Sequence, residues 1–141
     1  MSATILIVGD HDFTRRALRG WLEITFPGCH VIEAADEQEA IAIAGASSPR
    51  VVVVDNGLRG MAGFKITAHL KALMPAIPIV VLTSYESDAQ YAHALASGAS
   101  ACVLMDRIAE LQSTLAELLP PHTNPLDTSL VDGDNAMLIT G

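Results

Sequence analysis

Val51-Val52-Val53-Val54-Asp55 is the stretch on which the fold turns. Four consecutive β-branched residues without polar alternation suit a strand buried on both faces, as in a parallel sheet covered by helices. The run stops at a carboxylate. A glycine-rich turn over residues 57–63 follows, then a segment of helical period carrying Phe64, Leu70 and Leu73 that stops before Pro75. Residues 79–82 repeat the apolar run and end at Thr83. Upstream, Asp36 with Glu39 forms a capping-box-like start for a helix with Ala40, Ile41 and Ala44 on its apolar side. Val31-Ile32 begins a weaker strand, after Pro27-Gly28 has ended an earlier helix. That earlier helix is expected to start at an Asp12 cap and to turn Phe13, Ala17, Trp21 and Ile24 toward the core. Residues 4–8 form the first strand.

Downstream, residues 88–97 read as an Ala-rich helix closed by Gly98, and residues 101–104 as a fifth strand. Asp106 is placed to cap a last helix with Ile108, Leu111, Leu115 and Leu118 on one face. Pro120-Pro121 ends the pattern. The tail that follows is rich in Pro, Asn, Asp, Thr and Ser, with a weak hairpin signal at Asp132-Gly133.

Five strands alternating with five helices imply an α/β fold: a doubly wound, five-stranded parallel sheet in the order 2-1-3-4-5. Ligands of such sheets sit beyond the carboxyl ends of the strands. That rule selects Gly9-Asp10-His11, Asp55, Thr83 and the Leu104-Met105 junction. Asp10 and Asp55 end neighbouring strands and would repel unless a cation or proton lies between them. Mg²⁺ suits such a pair, because it takes one or two carboxylates and keeps several waters. Thr83 faces the same crevice, and Tyr85 stands near its mouth. His11 is expected to cap or pack on the first helix. His30, His69, His93 and His122 share no metal-binding spacing.

Composition narrows the function. The net charge of −8 opposes nucleic-acid binding by this segment alone. Half of the residues are hydrophobic, enough for a substantial core. No run is long enough to span a bilayer, and the expected location is cytoplasmic. Cys29 and Cys102 belong to no CxxC pair and read as small buried hydrophobes. The Gly9-Asp10-His11-Asp12 loop is acidic, which argues against a flavin phosphate there.

Taken in order, residues 5–11, Val53-Val54-Asp55 with residues 60–63, Val81-Leu82-Thr83 and residues 97–104 resemble a receiver domain of bacterial response regulators, of the NarL/FixJ/LuxR-type branch. The resemblance covers about residues 3 to 119. It implies that Asp55 is the phosphoacceptor and Thr83 the switch hydroxyl. It also implies that Asp10, Asp55 and the Gly57 carbonyl form a Mg²⁺ site. Three departures stand out: Gly9 replaces a second acidic residue, Met105 a lysine, and Cys102 a switch aromatic. Arg59 and Ala62 also replace a usual proline and acidic residue. Gly9 and Met105 are expected at strand ends facing the crevice, so that Mg²⁺ binds weakly and phosphoryl transfer loses a balancing cation. The expected protein is therefore an atypical receiver over residues 1–119, a signalling and dimerisation module rather than an enzyme. Residues 120–141 would be a linker leading to a helix-turn-helix DNA-binding domain absent from this chain. Its partners would be a second copy and a histidine kinase, with DNA reached only through that absent domain. The alternative is a working two-component receiver phosphorylated on Asp55.

Overall fold

The structure is a computed structural model that describes residues 3–57, 62–84 and 87–120. Along the chain lie β1 (Ala3–Val8), α1 (Asp12–Thr25), β2 (Cys29–Ala34), α2 (Glu37–Ser47), β3 (Val51–Gly57), α3 (Ala62–Leu73), β4 (Ile79–Thr83), α4 (Asp88–Ala96), β5 (Ala101–Leu104) and α5 (Ile108–Leu118). All strands are parallel, in the order β2-β1-β3-β4-β5. The expected fold class and strand order are those observed.

Alternation along the central strands builds the core in two layers. Ile5, Ile7, Val51 and Val53 face Leu18 and Leu22 of α1, Phe26 at its C-terminal cap, and Leu111 and Leu115 of α5. Leu6, Val8, Val52 and Val54 face Ala40, Ala44, Phe64, Leu70 and Ala94 from α2, α3 and α4. Each fully buried Leu, Ile or Val contributes roughly 1.5–3 kcal/mol over the exposed side chain.

Local chemistry sets the helix ends. Asp36 accepts from Glu39 N at 2.8 Å and Glu39 Oε1 accepts from Ala35 N at 2.7 Å, a reciprocal cap like the one expected. Gly98 takes a left-handed φ of +105°, and a Cβ there would stand 2.7 Å from Lys71 Cγ. Only glycine suits that closure of α4.

Four expectations are corrected. The cap of α1 is His11, whose Nδ1 accepts from Thr14 N at 3.3 Å; Asp12 is already helical. At α5 the capping position is Arg107, with no side-chain cap hydrogen bond, so Asp106 does not cap it. The α1 stripe is rotated: Arg15, Leu18 and Leu22 are buried, whereas Phe13 is 79% exposed and Ile24 83% exposed. The reason is Arg15, a polar residue on the buried face that breaks an apolar stripe read from sequence. Neither cysteine forms a disulfide, and both are only half-buried. Tyr85, Arg59, His122, the Asp132-Gly133 turn and the rest of the tail from residue 121 lie outside the described residues.

Candidate functional site

The carboxyl ends of β1 and β3 lie side by side, with Val8 opposite Val54. Beyond them opens a crevice of about 150 Å³ lined by Val8, Gly9, Asp10, Ala35, Asp36, Glu37, Asp55, Asn56, Gly63 and Ile66. Sequence reasoning placed Asp10 and Asp55 together, and both line this crevice. Asp10 is exposed; Asp55 is half-buried, and its Oδ1 is buried without a hydrogen bond. Gly57, named for its carbonyl, closes β3 two residues beyond Asp55.

Gly9 presses against the acid. A Cβ built on it would stand 3.1 Å from Asp55 Cβ and 3.6 Å from Oδ2, so a side chain here would need Asp55 to give by a few tenths of an ångström. Its N–H donates to Ala34 O at 3.0 Å, and its carbonyl accepts from Arg15 Nη1 at 2.6 Å. Arg15 also donates to Glu33 Oε1 and to Asp12 Oδ1, both at 2.8 Å. Burial works against its charge, but the hydrogen bonds with Asp12 and Glu33 outweigh it and raise its pKa above the ordinary arginine value. This buried cation therefore sits behind the β1–α1 loop and ties it to β2. The sequence reading did not single it out.

The crevice itself is acidic. Asp10, Asp36, Glu37 and Asp55 line it, and no Lys or Arg does among the described residues. Asp36 is committed to its helix cap, and Glu37 pairs with His69 Nδ1 at 2.8 Å. No three His, Cys, Asp or Glu side chains among the described residues group as a metal cluster. Two carboxylates with water still match the sparse donor set that Mg²⁺ accepts, and the buried Asp55 Oδ1 supplies an oxygen for it.

Thr83 and Met105 are not among the residues lining the crevice. Thr83 is fully buried at the end of β4, and its carbonyl accepts from Met105 N at 2.8 Å. Met105 was expected to face the crevice. Instead it packs on the α1–α5 layer, lining an apolar groove of about 210 Å³ with Ala17, Trp21, Leu82, Ile108 and Leu111. Its other side borders a shallow depression with Ser84 and Asp106. An apolar thioether gains more against the groove than beside carboxylates. Cys102 packs on the opposite layer, and burial, with a smaller contribution from Glu110, pushes its thiol up to about 11.

Asn56 was also missed. It is 2% exposed, accepts from Gly63 N at 3.0 Å and donates to Gln90 Oε1 at 3.4 Å. An Asn following the strand-ending Asp was the only signal available in the sequence.

Comparison with known proteins bears on this arrangement. The family model for the response regulator receiver domain matches residues 5–115. The response regulator VraR of Staphylococcus aureus is 30% identical over 104 residues, covering 74% of this chain and 50% of VraR. A LuxR-family two-component response regulator from Aurantimonas sp. SI85-9A1 superposes with a TM-score of 0.72 at 32% identity, covering 84% of this chain and 86% of that one. The chemotaxis protein CheY4 of Vibrio cholerae gives a TM-score of 0.74 at 26% identity, covering 84% of this chain and all of its own. The chain spans half or less of the length of the curated relatives it matches. No helix among the described residues is long and apolar enough to cross a membrane. The match across most of the chain, the strand order and the acidic pocket between β1 and β3 together place it: the chain belongs to the response regulator receiver domain family.

Proposed function

We propose that this chain is an atypical receiver that regulates by protein–protein contact, with Asp55 a slow phosphoacceptor. We further propose that it is the N-terminal part of a LuxR-type transcriptional regulator that works as a cytoplasmic homodimer. Residues 1–119 would be the receiver and residues 120–141 a linker to a DNA-binding domain. The observation that carries this reading is the makeup of the crevice: four carboxylates, no basic side chain among the described lining residues, and Met105 turned into the α1–α5 groove.

Phosphoryl transfer depends on positioning and charge neutralisation. An Asp55 carboxylate oxygen would attack the phosphorus of the donor, forming an acyl phosphate as the bond between phosphorus and the donor breaks and the dephosphorylated donor leaves; Asp10, Asp55 and the Gly57 carbonyl would hold a weak Mg²⁺. Bound there, the cation would supply the positive charge that the phosphoryl oxygens need. Thr83, in its fully buried place, would be the switch hydroxyl. Loss of one preorganised hydrogen-bond donor costs about 10²–10³ in rate where it has been measured in other enzymes. The Arg15 guanidinium does not fill the gap, because Gly9 O, Glu33 and Asp12 hold it behind the β1–α1 loop and it does not line the crevice.

A small phosphodonor with Mg²⁺, followed by mass spectrometry of the Asp55 peptide, tests this. Labelling is expected to be slow in the parent, absent in Asp55→Asn, and faster by about 10² in Met105→Lys. A lysine there can keep its stem on the groove and carry its ammonium out past Ser84. Stoichiometric labelling of the parent within minutes would establish the other reading, a working two-component receiver served by a histidine kinase.

A further inference from the structure

We propose that Asn56 and Gln90 form the link through which the state of the Asp55 crevice reaches α4. The inference rests on the reading of that crevice as the site where a phosphoryl group or cation is received.

The link begins with an irregularity in the sheet. On β3, Asp55 pairs with Leu82 and Gly57 with Thr83, so Asn56 is an extra residue without a counterpart on β4. Such a bulge re-aims a side chain and recurs beside functional sites. Here it accompanies an amide that is almost wholly buried one residue after Asp55, in the wall of the crevice.

That amide bridges two helices. Its Oδ1 accepts from the N–H of Gly63, in the first turn of α3, at 3.0 Å. This bond also fixes which end of the amide is oxygen, since a backbone N–H can only donate. A Cβ on Gly63 would stand 2.6 Å from Oδ1, so the close approach depends on glycine. Its Nδ2 then points to Gln90 Oε1, in the first turn of α4, at 3.4 Å. The two bonds are unequal. The first is of ordinary length and buried; the second is longer than the usual N–H···O range, a weak bond, and partly exposed. A perturbation at Asp55 would be held at α3 and released at α4.

The resemblance to receivers implies a different relay, in which an aromatic ring follows the switch hydroxyl. Cys102 stands in that place and is too small to act as such a ring. The Asn56–Gln90 bond supplies a physical connection to α4 on the side of the sheet where Cys102 packs.

The test uses Mg²⁺ with beryllofluoride as a phosphoryl mimic, read by amide chemical shifts on the parent, Gln90→Ala and Gln90→Glu. In the parent, amides around Gly9 and Asp55 and amides of α4 should both move. In Gln90→Ala the crevice shifts should persist, while the α4 shifts fall about twofold or more, the scale on which single residues modulate coupling. Gln90→Glu keeps an acceptor for Asn56 Nδ2 and should restore them. Gln90 is half-buried in the first turn of a short helix and outside the core clusters, so neither variant threatens the fold. Parent-sized α4 shifts in Gln90→Ala would overturn the link while leaving the crevice reading intact. Crevice amides that do not move in the parent would overturn the reading of the site, and this proposal with it.

Discussion

Three arginines within one turn and a half of α1 should differ sharply in what they contribute, and Arg15→Met is the decisive substitution. The Arg15 side chain is 9% exposed and donates to three acceptors. Methionine keeps the volume of the stem, so the cavity contribution is small. The substitution leaves Gly9 O without its charged donor and Glu33 short of one partner. Removing one member of a buried ion pair costs about 3–5 kcal/mol. Glu33 retains Arg19 Nη1 at 3.2 Å, which trims the loss. The Asp12 contact adds little, since that carboxylate is mostly in water. The net expectation is about 2–3 kcal/mol, a large part of the 5–15 kcal/mol typical of a domain. Arg19, with a 42% exposed side chain, should lose under about 1 kcal/mol as Arg19→Met, and less in high salt. Exposed Arg16→Met should stay within about 0.5 kcal/mol of the parent. Urea unfolding followed by circular dichroism reads the series; with a slope of about 1–3 kcal/mol per molar, the Arg15→Met midpoint should drop by about 0.7–3 M. An Arg15→Met midpoint indistinguishable from that of Arg19→Met would refute the account of Arg15 as the tie between the β1–α1 loop and β2.

Two further outcomes are expected. Because burial raises the Cys102 thiol to about 11, its thiolate at pH 8 should be scarcer by about 10² than in an ordinary thiol. Iodoacetamide should therefore label it slowly in the folded protein and quickly in urea; equal rates would contradict the burial. The sign for stability follows: the folded state favours the protonated thiol, so this contribution is full below the ordinary thiol range and is lost as pH rises toward 11. Phe13→Ser and Ile24→Ser should leave the unfolding midpoint nearly unchanged, because both side chains are already in water. If the dimer uses the α1 face, sedimentation should show these variants shifted toward monomer; a large loss of stability in either would mean that the exposure is misread.

The order of elements and the layering of the core were legible in the residues, because both rest on short-range pattern. Val51 to Val54 could only be a strand covered on both faces, and its neighbours alternate with helical periods that demand crossovers. The pairing of Asp10 with Asp55 followed from that order alone. The inner faces of α2 at Ala40 and Ala44 and of α5 at Leu111 and Leu115 were legible too; what escaped was the rotation of α1 and the turn of particular side chains. The α1 stripe was assigned to Phe13 and Ile24 because the true inner face contains Arg15, whose burial is tolerable only once Gly9, Glu33 and Asp12 surround it. Met105 was expected beside the carboxylates because its place in the chain says so; the apolar groove between α1 and α5 exists only after packing. The Asn56 amide became a bridge because a bulge inserts one residue between Asp55 and Gly57, and pairing register is a property of two strands together. Pattern along one chain specifies which faces are apolar, but contacts between distant segments decide which polar groups can be buried among them.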